Sequence, residues 1–204
     1  MKILITAALP YELNIIKSWI KSAWLKINLD IDYLCVGTWN YESIAVLEEY
    51  LTKNPHPTFI RNIGVCWYWN HEGKKLIEPI QAASIINIHS GKERIIPPYL
   101  KIAPLRNCFS SETVVFSKPN FEKEILTVNN EMYFDMESRW ISFAAERHRM
   151  PYIILKVPFD FIGKETSMSI EKWKEWILSY LGNLQYRDYL EKIVVRIDQQ
   201  GKSE

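Results

Sequence analysis

Two acidic residues, Glu137 and Asp160, flank a helix and a strand in the most informative segment of this sequence, residues 134–160. Asp135 and Glu137 open an apolar helix, Pro151 marks the turn that follows, and a strand that we interpret as apolar throughout ends before Asp160. An open α/β fold binds its ligand beyond the carboxyl ends of its strands. The spacing therefore predicts that both carboxylates converge over one end of a sheet, where paired acids could act as proton donor and hydrogen-bond acceptor.

The elements that would position these acids follow from the periodicity of the apolar residues. Strands are predicted at 2–8, 31–36, 58–65, 114–117 and 152–157, with one or two more within 77–88. Helices are predicted at 11–25, 41–52, 121–127, about 136–149, 170–182 and 185–199, and residues 95–98 are predicted to form a loop. This alternation predicts a single α/β domain over residues 1–204, three-layered (α/β/α), with a central mixed, mainly parallel sheet.

The composition excludes several classes of protein. Of the 204 residues, 48% are hydrophobic and 24% are charged, and the net charge is +1. This balance is ordinary for a soluble globular domain and gives no electrostatic reason to expect nucleic acid or an anionic membrane as a partner. The short apolar start is interpreted as a buried strand rather than a signal peptide. Three widely spaced cysteines, Cys35, Cys66 and Cys108, are expected to be reduced thiols, which is typical of a cytoplasmic protein.

Four segments together carry a resemblance to a known family. The chain begins Met1-Lys-Ile and reaches an acid at Glu12, and Cys35-Val-Gly-Thr-Trp-Asn follows the second strand. The third strand reads Ile60-Arg-Asn-Ile-Gly-Val65, and Asp135-Met-Glu137 precedes Asp160 in the late block. In this order and spacing the chain resembles the nucleoside phosphorylase superfamily, closest to its methylthioadenosine/S-adenosylhomocysteine nucleosidase branch, as a divergent member. The resemblance implies the phosphorylase/hydrolase-like fold and cleavage of the N-glycosidic bond of a purine nucleoside.

The resemblance also implies roles for individual residues. Asp160 would protonate the leaving purine, Glu137 would accept hydrogen bonds from the ribose hydroxyls, Met136 would pack on the sugar, and Glu12 would hold the attacking water. Each acid has an ordinary structural alternative. Asp160 could cap a loop, whereas Glu137 and Glu12 could be acids in the first turn of a helix, where the helix dipole favours them.

Gly64 and Val114 complete the predicted substrate-binding residues. Gly64 would allow the backbone to come close to the ligand. Val114 would stand where relatives often stack an aromatic side chain on the purine. Before it, Ser111-Glu112 replaces a Gly-Asp pair of the family, and we expect an exposed loop there.

The segment Trp67-Tyr-Trp69 departs most from the family pattern, because relatives have small residues there. The three aromatic side chains could fill the pocket, turn away from it, or form core or a subunit interface. A second departure is Pro158-Phe159 directly before Asp160, where proline fixes φ and removes a hydrogen-bond donor, so the acid could be aimed differently.

Three functions stay open from the sequence. The leading hypothesis is a purine nucleosidase that uses water, since no glycine- and arginine-containing phosphate turn follows the first strand. The alternatives are a catalytically inactive relative that binds a small molecule or another protein, and a phosphate-dependent phosphorylase. No metal is expected, because the four histidines are scattered and no pair has metal-ligand spacing. No cofactor is expected, since the sequence has no Walker loop and no GxGxxG motif. The expected partner is a purine nucleoside or base. A homo-oligomer is also expected, because relatives form dimers, trimers or hexamers, and a homodimer is taken as the working assumption.

Overall fold

The computed structural model of the chain describes residues 2–23, 30–38, 40–54, 57, 59–70, 79–97, 101, 103–111 and 131–161, without the side chains at 19, 21–23, 40, 70 and 159–161. Its strands are β1 (Lys2–Ala7), β2 (Asp30–Cys35), β3 (Phe59–Asn70), β4 (Ile80–Asn87), β5 (Glu93–Ile95), β6 (Leu105–Ser110), β7 (Glu131–Asp135) and β8 (Tyr152–Phe161). Its helices are α1 (Pro10–Ala23), α2 (Asn40–Lys53) and α3 (Ser138–Arg147).

The described strands form one mixed sheet. The order is β2-β1-β3-β7-β6-β4-β5, and β8 pairs with both β3 and β4. Parallel pairs join β1 to β2 and β3, β3 to β8, and β6 to β4 and β7, whereas β3 with β7, β4 with β5 and β4 with β8 are antiparallel. The strands β3, β8, β4, β6 and β7 thus pair in a closed circuit, which brings the ends of β3, β7 and β8 together.

Helices cover both faces of this sheet. On one face, Leu13, Ile16 and Ile20 of α1 pack against Ile5 and Ile63 of the sheet in one core cluster. On the other face, side chains from α2 and α3 share a second cluster with β1, β3 and β8 that includes Leu4, Leu47, Ile60, Ile141 and Ile154. Alternate residues of each strand serve opposite faces, which is why these strands carry apolar residues almost without interruption.

Local sequence signals explain where two of the elements begin. Pro10 is the first residue of α1, where its missing N–H costs no helical hydrogen bond. The turn into α2 contains Gly37 with φ +79°, and a Cβ there would lie 2.6 Å from the Glu42 carboxylate. The positive φ favours glycine at this turn, whereas the flexible Glu42 side chain could move away from a Cβ.

The main elements match the predictions, and the differences cluster around the middle of the chain. β3 runs on to Asn70 instead of ending at Val65, β8 runs on to Phe161, and α3 is the shorter helix Ser138–Arg147. β4 is one strand, β5 ends at Ile95, where the predicted loop 95–98 begins, and β6 and β7 had no sequence prediction. The elements predicted at 114–117, 121–127, 170–182 and 185–199 lie outside the described residues.

Two predictions about the cysteines and the membrane can be compared with the structure. Cys66 and Cys108 are buried, Cys35 is half-buried, and all three are free thiols. Within the described ranges, no helix has the length and apolar character needed to cross a bilayer.

The central position of β8 gives a prediction for stability. Ile154 has no exposed surface, and truncation of a buried isoleucine removes apolar contacts and leaves a cavity. We expect Ile154→Ala to lower the free energy of unfolding by about 2–5 kcal/mol, measured by urea denaturation. Ile95→Ala is the matched control, because Ile95 is 75% exposed. Equal effects of the two substitutions would contradict the central role of β8.

Candidate active site

Glu12 lies in the first turn of α1 and is almost fully buried, with 1% exposure. Its carboxylate accepts two backbone hydrogen bonds, from Leu9 N to Oε2 at 2.9 Å and from Val65 N to Oε1 at 3.3 Å. The second bond ties the start of α1 to the middle of β3. The structural alternative for Glu12, an acid in the first turn of a helix, describes its position, but the side chain is buried and bonded to β3 instead of lying in solvent.

Asp135 and Glu137 lie where β7 passes into α3. The backbone N–H of Ser138 donates to Asp135 Oδ2 at 3.2 Å, and the Ser138 hydroxyl donates to the same oxygen. Glu137 is the N-cap residue of α3, but its side chain makes no cap hydrogen bond and points elsewhere. Asp135 thus satisfies the helix end, and Glu137 is left available for other contacts.

Lys156 is the functional residue that the sequence interpretation missed. It lies in β8, has no exposed surface, and its Nζ lies 2.8 Å from Asp135 Oδ2. The same ammonium group donates to Glu137 Oε1. From the sequence, this strand is interpreted as apolar throughout. The lysine within the apolar run is the sequence feature that indicates a buried ionic contact, because a buried ammonium group requires carboxylate partners.

Gly64 provides the surface on which these charged groups meet. It pairs with Lys156 in the β3–β8 ladder. A Cβ at Gly64 would lie 3.4 Å from Glu137 Oε1, 3.4 Å from Lys156 Nζ and 3.7 Å from Glu12 Oε1. Glu12, Asp135, Glu137 and Lys156 therefore form one buried group, which we call the charged cluster.

An open cleft lies beside the charged cluster. It contains about 400 Å³ of empty space, part of it open to solvent. Met136, predicted to bind substrate, borders the cleft together with Glu12 and Glu137, so three of the predicted site residues share one cavity. The remaining lining residues come from the segments that follow β1 and β2, from β3, and from the end of β7: Ala8, Leu9, Thr38, Val65, Cys66, Trp67 and Asp135.

The three aromatic residues of β3 leave this cleft open. Trp67 is half-buried and forms part of its wall. Trp69 packs with Phe109 and Phe134 in a separate core cluster, and Tyr68 on the opposite face of the strand packs with Cys66 and Tyr133. Trp67 and Tyr68 are paired with Phe134 and Tyr133 of β7. Aromatic side chains that face each other across an antiparallel strand pair stabilise the sheet.

The backbone brings Asp160 to the same end of the sheet. Cys66 pairs with Pro158 and Trp67 pairs with Asp160, so Phe159 is an extra residue in β8. Pro158 has no N–H for a ladder hydrogen bond, and a β-bulge is a usual site for proline in a sheet. Asp160 therefore lies in register with Trp67, which borders the cleft, and its side chain is outside the described part of the structure.

The three remaining positions, Ser111, Glu112 and Val114, give different outcomes. Val114 and Glu112 lie outside the described residues. The expectation that Ser111 lies in an exposed loop is wrong, because Ser111 is 1% exposed. Its N–H donates to the Asp135 carbonyl at 2.8 Å, which continues the pairing of β6 with β7.

Burial controls the protonation of the charged cluster. Burial and the nearby Glu137 raise the pKa of Glu12 to about 7, against the opposing effects of Lys156 and of the two backbone donors. Burial also raises the pKa of Glu137, and Lys156 opposes that rise. For Lys156, burial lowers the pKa, but Asp135 and Glu137 outweigh it and the net shift is upward. The cluster therefore contains a permanent cation and a carboxyl group that exchanges its proton near neutral pH.

The donor set of the cleft suits an organic ligand better than a metal ion. Three carboxylates are present, but two of them are bonded to Lys156. Across the described ranges, no group of three or more His, Cys, Asp or Glu side chains is arranged to bind a metal ion.

The same fold occurs in solved structures. One is a putative 5′-methylthioadenosine/S-adenosylhomocysteine nucleosidase from Borrelia burgdorferi bound to adenine (TM-score 0.73, 15% identity, 94% of this chain and 98% of that chain). Another is the MTAN protein of Chlamydia trachomatis bound to adenine (TM-score 0.66, 19% identity, 95% and 97%). A third is a futalosine hydrolase mutant of Helicobacter pylori (TM-score 0.71, 12% identity, 96% and 99%).

These likenesses confirm the predicted fold class, an α/β fold of the phosphorylase/hydrolase type with a mixed sheet. No protein-family model and no curated protein sequence matches the chain. At these identities the shared feature is the fold.

The raised pKa of Glu12 predicts a dependence of stability on pH. The folded chain holds this proton up to about pH 7, whereas the ordinary value of the group is 4.5. The free energy of unfolding should therefore fall as the pH rises through this interval, by on the order of 3 kcal/mol. Glu12→Gln should remove that fall, measured by urea denaturation at several pH values. Glu93→Gln, at an exposed position, is the control and should keep the wild-type profile. Parallel profiles for the wild type and Glu12→Gln would contradict the shift.

Proposed function

We propose that this protein is a purine nucleosidase that hydrolyses the N-glycosidic bond of a nucleoside with water as the nucleophile. The observation that carries the proposal is the convergence of Glu12, Met136 and Glu137 around one cleft, over Gly64. It is supported by the fold shared with adenine-bound nucleosidases.

Glu137 and Met136 suit the sugar of such a substrate. The Glu137 carboxylate is not used to cap its helix, and Lys156 engages Oε1, so the other oxygen can accept hydrogen bonds from two neighbouring ribose hydroxyls. Met136 is buried at the cleft wall, and its flexible thioether can follow an irregular sugar surface. This arrangement supports binding of the ribose at the β7–α3 end of the cleft.

Glu12 suits the activation of water. As a carboxylate it can accept a proton from a water molecule that attacks the anomeric carbon, and a pKa of about 7 matches that task at neutral pH. The reaction develops positive charge on the ribose, and the excess of carboxylates in the charged cluster stabilises such charge. Glu12 is therefore proposed as the general base.

The same residue argues against phosphate as the nucleophile. The backbone N–H of Leu9, at the start of α1, donates to the Glu12 carboxylate and is unavailable to an anion. A helix start can bind phosphate only through free N–H groups, and a neighbouring carboxylate repels it. Hydrolysis is thus better supported than phosphorolysis.

Asp160 is proposed as the acid that protonates the leaving purine. Its register beside Trp67 supports a position at the mouth of the cleft, opposite the sugar end. Val114 stays a proposed contact of the base. The homodimer and the cytoplasmic location expected from the sequence also stay predictions.

The test is release of free base from a panel of purine nucleosides that includes methylthioadenosine, followed by chromatography without phosphate. We expect adenine release from at least one nucleoside, and we expect Asp160→Asn and Glu12→Gln each to lower kcat by about 10²–10⁴-fold. Glu137→Gln should mainly raise KM, because it weakens the ribose contact.

Glu93→Gln is the matched control and should keep the wild-type rate, since it changes the same functional group at an exposed position outside the cleft. Full activity of Asp160→Asn would refute the assignment of Asp160 as the acid that protonates the leaving purine. If adenine binds by calorimetry but no nucleoside releases its base, the inactive small-molecule binder is the correct function, and phosphate-dependent release would identify a phosphorylase.

A further inference from the structure

Lys156 enters the proposed function only through its contact with Glu137, although it is the most completely buried residue of the charged cluster. Its side chain has no exposed surface, and its ammonium group contacts two carboxylates from a different strand and helix. A buried ammonium group is costly to remove from water unless its partners are well placed.

The charges of the cluster do not balance. Three carboxylates, of Glu12, Asp135 and Glu137, lie around one ammonium group, and all four side chains are at most 5% exposed. Lys156 is bonded to Asp135 and Glu137, whereas Glu12 is held by two neutral backbone N–H groups. Glu12 is therefore the carboxylate with the least compensation for its charge.

The titratable groups around Glu12 come from five elements. Tyr11 on α1, Glu137 at the start of α3 and Lys156 on β8 interact with it electrostatically, and Cys66 on β3 and Asp135 on β7 line the same cleft. Burial raises the pKa of the Cys66 thiol well above its ordinary value, and burial followed by Glu12 raises that of the Tyr11 hydroxyl. Both are neutral at pH 7, so Lys156 is the cation that faces Glu12 among the described residues.

We propose that Lys156 is a positioning residue: by bonding Asp135 and Glu137 it fixes the sugar-binding acid, and it leaves Glu12 as the acid of the cluster without an ionic partner. The effect of Lys156 on catalysis rests on the proposed nucleosidase function. Its effect on the charge of Glu12 rests on the contacts within the charged cluster. Gly64 lies against all three groups, since a Cβ there would be in van der Waals contact with Glu137, Lys156 and Glu12.

Two consequences separate this role from simple packing. Loss of the ammonium group leaves three buried carboxylates uncompensated, so Glu12 should hold its proton to higher pH. Loss of the Asp135 charge should act in the opposite direction, because Lys156 then compensates fewer acids. A packing role predicts lower stability in both cases, without opposite shifts.

The experiment measures the titration of Glu12 in the whole protein by NMR of ¹³C-labelled glutamate carboxyl groups, with Glu12→Gln to assign the signal. We expect Lys156→Met to raise the Glu12 midpoint by about one pH unit or more, Lys156→Arg to keep it near the wild-type value, and Asp135→Asn to lower it. The asparagine can still accept the Ser138 hydrogen bonds. If Lys156→Met does not fold, the direction of the shift in Asp135→Asn decides.

The catalytic arm measures base release against pH. The acid limb of kcat/KM should move upward in Lys156→Met by the same interval as the NMR midpoint, and Lys156→Arg should restore the wild-type profile. An unchanged Glu12 midpoint in both Lys156→Met and Asp135→Asn would overturn the proposal. Absence of base release in the wild type would refute the proposed function, while the NMR result would still decide the role of Lys156.

Discussion

The buried ionic contact of Lys156 with Asp135 and Glu137 is the constraint on which this end of the molecule depends. An ammonium group without exposure requires carboxylates within hydrogen-bond distance, and here they come from the end of β7 and the start of α3. The contact therefore fixes β7, α3 and β8 relative to one another. Asp135 meets two demands at once, because it also accepts the hydrogen bonds of Ser138 at the helix start. A shift of any of these elements would leave a buried charge unpaired.

The second constraint is the backbone of β3, which borders both the cleft and the charged cluster. Its N–H at Val65 bonds Glu12, its glycine at position 64 leaves space for the charged groups, and Trp67 forms a wall. Beyond that point the strand pairs with β7 and its aromatic side chains join the core. The bulky segment that departs from the family pattern thus extends the sheet and leaves the cleft open. The bulge in β8 opposite the same stretch brings the backbone of Asp160 to the cleft edge.

The predictions succeeded where local pattern was sufficient. β1, β2, α1 and α2 have strong apolar periodicity and turn or cap residues, and their predicted bounds lie close to the observed ones. β6 and β7 have no clear strand pattern in the sequence, and β6 begins with polar residues. They form strands because they pair with each other and with neighbouring strands. The predicted end of β3 at Val65 is also too early, because residues 67–70 are held in the strand by pairing with β7. Such pairings are decided by contacts between residues distant in sequence.

The sequence by itself determined the fold class and named Glu12, Met136, Gly64 and Glu137, because residue order and type survive in motifs even when overall identity is low. Only the tertiary structure brought these residues to one cleft and added Lys156. The role of a lysine in an apolar strand depends on its ionic partners. The partners of Lys156 come from the end of another strand and the start of a helix. Burial then decides the chemistry, since the same glutamate that would be an ordinary acid in water exchanges its proton near neutral pH here.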